Sequence, residues 1–174
     1  MDHLRALIDD WLTKDQLKRI DGANVDLEIG ALSEVVGAGP EAPTLFFDKI
    51  QGYPQGFRIL TNMFQTQRRT AAALGIADTL RGPALVNAIR ATLESYRPIP
   101  PVTVTAGPVT ENIVDGKEVD LFKFPAPKLH KEDGGRYIGT QDAVITRDLE
   151  GNWVNLGSAR VQVQEPAVVK IWCA

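Results

Sequence analysis

The sequence predicts an α+β protein in which a mixed region of helices and short strands precedes a region that is almost wholly β. Before residue 97, apolar residues recur at helical spacing in several stretches. After residue 101, β-branched runs alternate with Gly, Pro, Asp and Asn turns. The closely spaced prolines between them favour an extended segment. We therefore expect a mixed region at 1–97, a linker at 98–101 and a β-rich region at 102–174.

The composition is that of an ordinary globular protein. The chain has 174 residues, of which 44% are hydrophobic and 24% charged, enough for one sizeable core or two small ones. The net charge of -3 gives no general attraction to nucleic acid or anionic membranes, so a phosphate site would have to be local. A single cysteine excludes an internal disulfide framework. Since neither a signal peptide nor a membrane span is recognisable, we expect a cytoplasmic protein.

Helices and strands alternate along the first region. Apolar residues at steps of three and four predict helices at 4–12, 27–36, 66–74 and 83–96, and β-rich or alternating runs predict strands at 16–20, 44–50 and 57–61. The second helix should end at Gly37, because glycine tolerates left-handed dihedral angles and Pro40 cannot continue the helical hydrogen bonds. The turn at 52–56 should fold the next strand back as a hairpin.

Three side chains of the first region have two interpretations each. Tyr53 could stack on a ligand, but an aromatic residue beside a turn more often packs on the core. Arg68 and Arg69 could hold a phosphate, although basic pairs on helices are usually solvated. We expect packing for the tyrosine and solvent exposure for the arginines.

The second region should consist of strands joined by turns. Strands are predicted at 102–105, 112–114, 139–147, 153–164 and 168–172. Asp115-Gly116 and 150–152 have the composition of hairpin turns. The segment 121–127 should be irregular, because its two prolines cannot donate hydrogen bonds to a central strand.

Polar side chains along two neighbouring strands form the candidate binding site. The stretches 133–140 and 152–160 place two hydroxyls, an amide and a guanidinium along one sheet, with glycines where a ligand must approach the backbone. These side chains are Thr140, Ser158, Asn155 and Arg160. The set suits an anionic, phosphorylated ligand. An ordinary hairpin whose polar residues face water explains the local pattern equally well.

The same stretches resemble the cofactor-binding region of the UbiD-like decarboxylases. The motifs are Asp-Gly-Gly-Arg-Tyr-Ile-Gly-Thr at 133–140 and Asn-Leu-Gly-Ser-Ala-Arg at 155–160. The segments 27–31, 45–54 and 57–64 are similar to the amino-terminal part of that family. The resemblance implies that 102–174 is part of an antiparallel split β-barrel of the flavin-binding kind.

The resemblance also implies a reaction and its partners. The family reversibly decarboxylates aromatic and α,β-unsaturated carboxylic acids with prenylated FMN, which bonds to the substrate and accepts the electrons freed when carbon dioxide leaves. A flavin prenyltransferase would supply the cofactor. Members of the family associate through a carboxy-terminal domain, so a homo-oligomer is the expectation.

Individual residues take roles from the family motif. Asn155 matches an amide that helps to hold a divalent ion at the flavin phosphate, usually manganese, with potassium as a further ion. Arg160 matches a catalytic arginine that orients the substrate carboxylate by paired hydrogen bonds. Thr140 matches a residue on the substrate side of the flavin ring. The residues that line the flavin would be Gly157, Ser158, Ala159 and Arg160.

Other candidates have simpler explanations. Trp153 matches a position beside the metal site, but we expect it in the core. His130 is expected in a charged loop and not as a metal ligand, because no second His or Cys stands at ligand spacing. We expect His3 at the surface and assign Cys173 no nucleophilic role.

One feature departs from the family pattern. The family's remaining metal ligands, a histidine and a glutamate, and two further glutamates of its acid-base chemistry would all follow Ala174. The first hypothesis is therefore that these residues form the cofactor-binding part of a decarboxylase and are inactive alone, with the strand at 168–172 lacking a neighbour. The alternative is a non-catalytic module that binds a flavin or another phosphorylated ligand. A structural protein without a ligand is a third interpretation.

Overall fold

The computed structural model describes residues 4–100, 102–151 and 153–172. The helices are α1 (Leu4–Thr13), α2 (Glu28–Gly37), α3 (Gln67–Ala73) and α4 (Gly82–Ser95). The strands are β1 (Leu17–Asp21), β2 (Thr44–Asp48), β3 (Ile59–Thr61), β4 (Arg136–Arg147), β5 (Val154–Glu165) and β6 (Val168–Trp172). Short 3-10 helices occupy Pro108–Thr110, Gly116–Glu118 and Leu121–Lys123. The fold is thus α+β, and all four predicted helices form.

The first region is built on a three-stranded sheet in the order β1-β2-β3. β1 runs parallel to β2 with α2 as the crossover, and β3 returns antiparallel to β2 as the predicted hairpin. α2 and the sheet enclose the core, which consists of Ala23, Val25, Ile29, Leu45, Phe47 and Ile50. Burial of each large side chain in it contributes about 1.5–3 kcal/mol. α1 adds the buried Trp11, whose ring meets that of Phe64 edge-on at 6.2 Å.

Tyr53 packs against this core as predicted, and its hydroxyl accepts a hydrogen bond of 3.1 Å from Arg136. The expectation for Arg69 was wrong, because its side chain is only 2% exposed. The guanidinium donates to the backbone carbonyls of Ala42, Asn62 and Met63 at 2.6, 3.0 and 2.9 Å. Burial lowers the pKa of this guanidinium. Arg69 therefore fastens the loops around α3 to each other.

The second region is a three-stranded antiparallel sheet in the order β4-β5-β6. The pairing of β4 with β5 shifts twice, between Tyr137 and Gly139 and again between Gly139 and Asp142. β-Bulges of this kind insert an unpaired residue and bend the strand. Beyond Asp142 the two strands pair in an unbroken register to the hairpin end.

Two predicted strands do not form. Residues 102–105 and 112–114 have no strand pairing, and Asp115-Gly116 leads into a 3-10 helix instead of a hairpin turn. The valines and isoleucines of this segment remain exposed. High β-propensity produces a strand only where a neighbouring strand is available. The irregular course predicted for 121–127 is confirmed.

The two regions meet through residues 124–130. The N–H of Lys128 donates to Val25 O and its carbonyl accepts from Leu27 N–H, both at 2.9 Å. The rings of Phe57 and Phe124 pack edge to face at 5.8 Å. These contacts fasten the second region beside α2 and the end of β3.

Trp153 is 62% exposed rather than in the core, because it follows the hairpin turn where no other element covers it. Pro101 and Asn152 lie outside the described residues. His3 and Cys173 also lie outside them, so the expectations for these two residues stay predictions. Among the helices of the described ranges, none combines the length and apolar character that crossing a bilayer requires.

Candidate functional site

A concavity of about 650 Å³ opens on one face of the second sheet. Its lining includes four of the predicted site residues, namely Thr140, Ser158, Ala159 and Arg160. Strand β5 contributes three of the four, and the bulged part of β4 contributes the threonine. The sheet thus brings the predicted hydroxyls and guanidinium together.

The pairing register explains which side chains share this face. Side chains alternate between the faces of a strand, so Ser158, Arg160 and Gln162 lie on one side of β5. On β6, Trp172 lies opposite Arg160 and Lys170 lies opposite Gln162. The concavity therefore lies on the neighbouring strands β5 and β6, and β4 forms one of its walls.

Asn155 and Gly157 are placed differently. Asn155 pairs with Thr146 in the regular part of the ladder, an odd number of residues from Arg160, and therefore belongs to the opposite face. A Cβ added at Gly157 would lie 3.5 Å from Asn155 Nδ2, which agrees with their sharing that face. Neither residue lines the concavity that contains Arg160.

The described residues do not form a complete metal site by themselves. In the ranges that the structure describes, no group of three or more His, Cys, Asp or Glu side chains is arranged to hold an ion. Asn155 offers one exposed amide, and His130 is an exposed loop residue 3.6 Å from Asp133 and 3.8 Å from Glu34. A hard divalent ion needs about six oxygen ligands, so neither residue suffices.

The charge of the concavity suits an oxyanion. It contains Arg160 and Lys170, and its lining includes no acidic side chain. Within residues 4–100, 102–151 and 153–172, neither cation forms an ion pair. Tyr137 and Trp172 add aromatic surface beside the two charges. Positive charge next to aromatic rings fits a phosphorylated aromatic ligand such as a flavin nucleotide.

Sequence reasoning missed several lining residues. Tyr137, Gln141, Gln162, Lys170 and Trp172 also face the concavity. The alternation of Ser158, Arg160 and Gln162 along β5 could have identified the glutamine. The residues of β6 could not have been found in this way, because their register depends on a bulge near Gln164.

A second hollow of about 960 Å³ lies between β3, the segment 124–129 and the bulged part of β4. Thr140 and Gln141 line both hollows. The first region therefore shapes one of the two cavities, and the β4 bulges form the wall that separates them.

Two family models together match most of the chain. A model described as the 3-octaprenyl-4-hydroxybenzoate carboxy-lyase N-terminal domain matches residues 8–89, and one described as its Rift-related domain matches residues 101–174. A curated relative, pyrrole-2-carboxylic acid decarboxylase from Pseudomonas aeruginosa, is 31% identical over 147 residues. That alignment covers 80% of this chain and 29% of the relative.

The solved structures that resemble this chain are also decarboxylases or UbiD-class enzymes. The closed form of vanillic acid decarboxylase from Sedimentibacter hydroxybenzoicus matches with a TM-score of 0.88 at 28% identity, over 100% of this chain and 37% of that one. An evolved dimeric form of the UbiD-class enzyme HmfF from Pelotomaculum thermopropionicum, in complex with prFMN, matches with a TM-score of 0.79 at 27% identity. It is covered to 38%, and this chain to 98%. The chain spans about a third of the length of these proteins.

Proposed function

Since the chain belongs to the UbiD family of carboxy-lyases, we propose that it supplies the amino-terminal, cofactor-binding part of a decarboxylase that uses prenylated FMN. The substrate would be an aromatic or α,β-unsaturated carboxylic acid. The similar proteins named above are decarboxylases of a heteroaromatic and a phenolic acid, which supports this substrate class.

The cationic concavity beside Arg160 is the observation that supports this function best. Two cations that form no ion pair in the described part of the chain, the hydroxyls of Thr140 and Ser158, and two aromatic rings offer partners for a phosphate, a carboxylate and a planar ring system. The likeness to a solved relative that contains prFMN supports the same ligand.

In this proposal the residues bind and orient, and the cofactor supplies the electron sink that takes up the electron pair freed by loss of carbon dioxide. Arg160 would hold the carboxylate by paired hydrogen bonds, because a planar guanidinium matches the two carboxylate oxygens. Thr140 and Ser158 would hydrogen-bond polar edges of the bound molecules. Ala159 would contribute backbone only, because side chains alternate along β5 and its methyl group lies on the opposite face from Ser158 and Arg160.

No carboxyl group or histidine among the described residues offers proton transfer in this concavity. A carboxyl group that acts as acid or base would therefore come from other parts of the complete protein. The ion-binding role of Asn155 and the identity of the ion as manganese or potassium stay predictions, and we route no step through a metal. For the complete protein we further propose a flavin prenyltransferase as cofactor supplier, a homo-oligomeric state and a cytoplasmic location.

The same lack of a carboxyl group and a histidine in the described lining favours a second candidate function, a module that binds flavin without turnover. The two candidates are tested together by co-expressing the chain with the polypeptide that follows the matched region in the Sedimentibacter decarboxylase, in cells that make prenylated FMN. The measurements are carbon dioxide release from vanillate and from pyrrole-2-carboxylate, and FMN binding by the chain itself.

The enzyme proposal expects carbon dioxide release that falls roughly 100-fold in Arg160→Ala, because a preorganised charge at the reacting group is lost. Arg147→Ala is the control, since Arg147 lies at the hairpin end of β4 outside the concavity. FMN binding without carbon dioxide release would favour the binding module. If the folded chain binds no flavin, both candidates fail.

A further inference from the structure

Gln162 is a largely covered polar side chain of β5. It is 9% exposed and lines the concavity. Within the described part of the chain, its amide forms no hydrogen bond. Because Gln162 lines the concavity, its amide is free to donate a hydrogen bond to a group that enters there.

The chain is arranged around this amide. Gly134 and Gly135 pass over it, and a Cβ at Gly135 would overlap Gln162 Nε2, whereas one at Gly134 would lie 3.4 Å away. Any larger residue at 135 would push the amide from its position. The two glycines therefore leave the space that the Gln162 side chain occupies.

Gln162 belongs to a row of polar side chains that crosses the sheet. Tyr137 of β4 and Lys170 of β6 are its partners in the pairing register, so the three side chains share one face. Arg160 lies in the next row, diagonal to Lys170, at the spacing of about 7–8 Å that diagonal neighbours have. The Gln162 amide is thus a neighbour of both Lys170 and Arg160, so one ligand can contact all three side chains.

We propose that Gln162 and Lys170 form an oxyanion-binding subsite beside Arg160, in which the amide donates a hydrogen bond and the ammonium group neutralises charge. The inference rests on the proposed function, because the oxyanion would be the phosphate of the flavin nucleotide or the carboxylate of the acid. Arg160 would then hold one anionic group, and the Gln162–Lys170 pair the other.

The test measures dissociation constants of FMN, riboflavin and benzoate for the 174-residue chain and its variants, by flavin fluorescence and by calorimetry. Gln162→Met and Lys170→Met remove the polar groups while keeping side-chain length, and Gln162→Glu places a competing carboxylate between the cations. Gln164→Met and Lys131→Met are matched controls, since both residues are exposed and lie outside the concavity. Circular dichroism shows that each variant is folded.

If the subsite holds phosphate, both methionine variants weaken FMN about 10- to 100-fold and leave riboflavin unchanged, because a hydrogen bond to a charged group is lost. If it holds carboxylate, benzoate is weakened by the same factor while FMN is unchanged. Gln162→Glu should have the largest effect in either case, and either result supports the subsite.

The subsite fails if the wild-type chain binds FMN or benzoate and the folded variants bind them as tightly. That outcome leaves the proposed function intact. If the folded wild-type chain binds none of the three probes, the proposed function and the subsite fail together. Equal weakening by the two control variants also overturns the subsite, because the effect would then be independent of position.

Discussion

Gly30 lies where the backbone at Leu129 crosses α2. A Cβ at this position would overlap the Leu129 carbonyl group, and Gly30 is itself buried. The missing side chain is what allows the segment 124–130 to approach the helix. The contact between the two regions therefore depends on one hydrogen atom in the place of a methyl group.

We expect Gly30→Ala to destabilise the fold by about 1–3 kcal/mol, since backbone atoms must move to admit the methyl group. Urea unfolding followed by circular dichroism measures this change. The control is Gly39→Ala, at a position where a Cβ would meet nothing within 4 Å. Equal stability of the two variants would show that the segment gives way without cost.

Arg69 illustrates a second kind of dependence on one residue. Its guanidinium satisfies three backbone carbonyls of two loops. Arg69→Met should lower the free energy of unfolding by about 3 kcal/mol or more, because each carbonyl left unpaired costs about 1–3 kcal/mol.

Thermal or urea denaturation tests this expectation. The matched control is Arg68→Met, which loses only the partly exposed pair with Asp78 at 3.3 Å and should cost about 0–1 kcal/mol. An Arg69→Met variant as stable as Arg68→Met would mean that solvent reaches the three carbonyls.

At the scale of elements, β6 is the exposed edge of the second sheet. Its apolar residues Val168, Val169, Ile171 and Trp172 are 40–68% exposed. An edge of this kind presents unpaired backbone groups together with apolar side chains and favours association.

We therefore predict that the chain self-associates and that Val168→Lys weakens this association several-fold. A lysine on the edge opposes pairing with another strand, and here it would stand opposite Glu165. Sedimentation equilibrium measures the effect. Val35→Lys is the control, because Val35 is exposed and belongs to α2 of the first region, not to the second sheet. Unchanged association in Val168→Lys would place the contact elsewhere.

Elements with their own pattern were predictable, and those that depend on distant partners were not. The stripe of α2 and the turn before β3 carry their signals locally, so both formed as expected. Residues 102–105 have strand composition but no neighbour, and the burial of Arg69 depends on carbonyls from loops far along the chain. The site followed the same rule, since Ser158 and Arg160 share a face by alternation, whereas Lys170 joins them only through a bulged register.

For the whole molecule, the weakest connection is the exposed segment between residues 97 and 118. Its described residues, 97–100 and 102–118, contain no strand and only two short 3-10 helices, while 124–130 is held against α2. Exposed segments of this kind are the preferred sites of proteolysis. The segment that links the two regions covalently, 97–118, is thus different from the segment that packs them together, 124–130.

We predict that trypsin first cleaves after Lys117, since a proline protects the bond after Arg97. The two pieces should separate on a denaturing gel and co-elute from a native sizing column, because the docked segment stays with α2. Lys117→Gln should slow the cleavage. Pieces that elute separately would show that the contacts of 124–130 do not hold the regions together.

The two register shifts in β4 determine which face of the sheet each upstream side chain occupies. From Tyr137 to Asp142 β4 advances five residues, while its partner advances three from Gln162 to Ala159. Loss of one residue there would invert the orientation of every side chain upstream, turning Arg136 away from Tyr53. Loss of two residues would keep the original orientation of these side chains, but it would remove the bulges that separate the two hollows. We therefore expect the bulged part of β4 to tolerate insertions and deletions of two residues better than those of one.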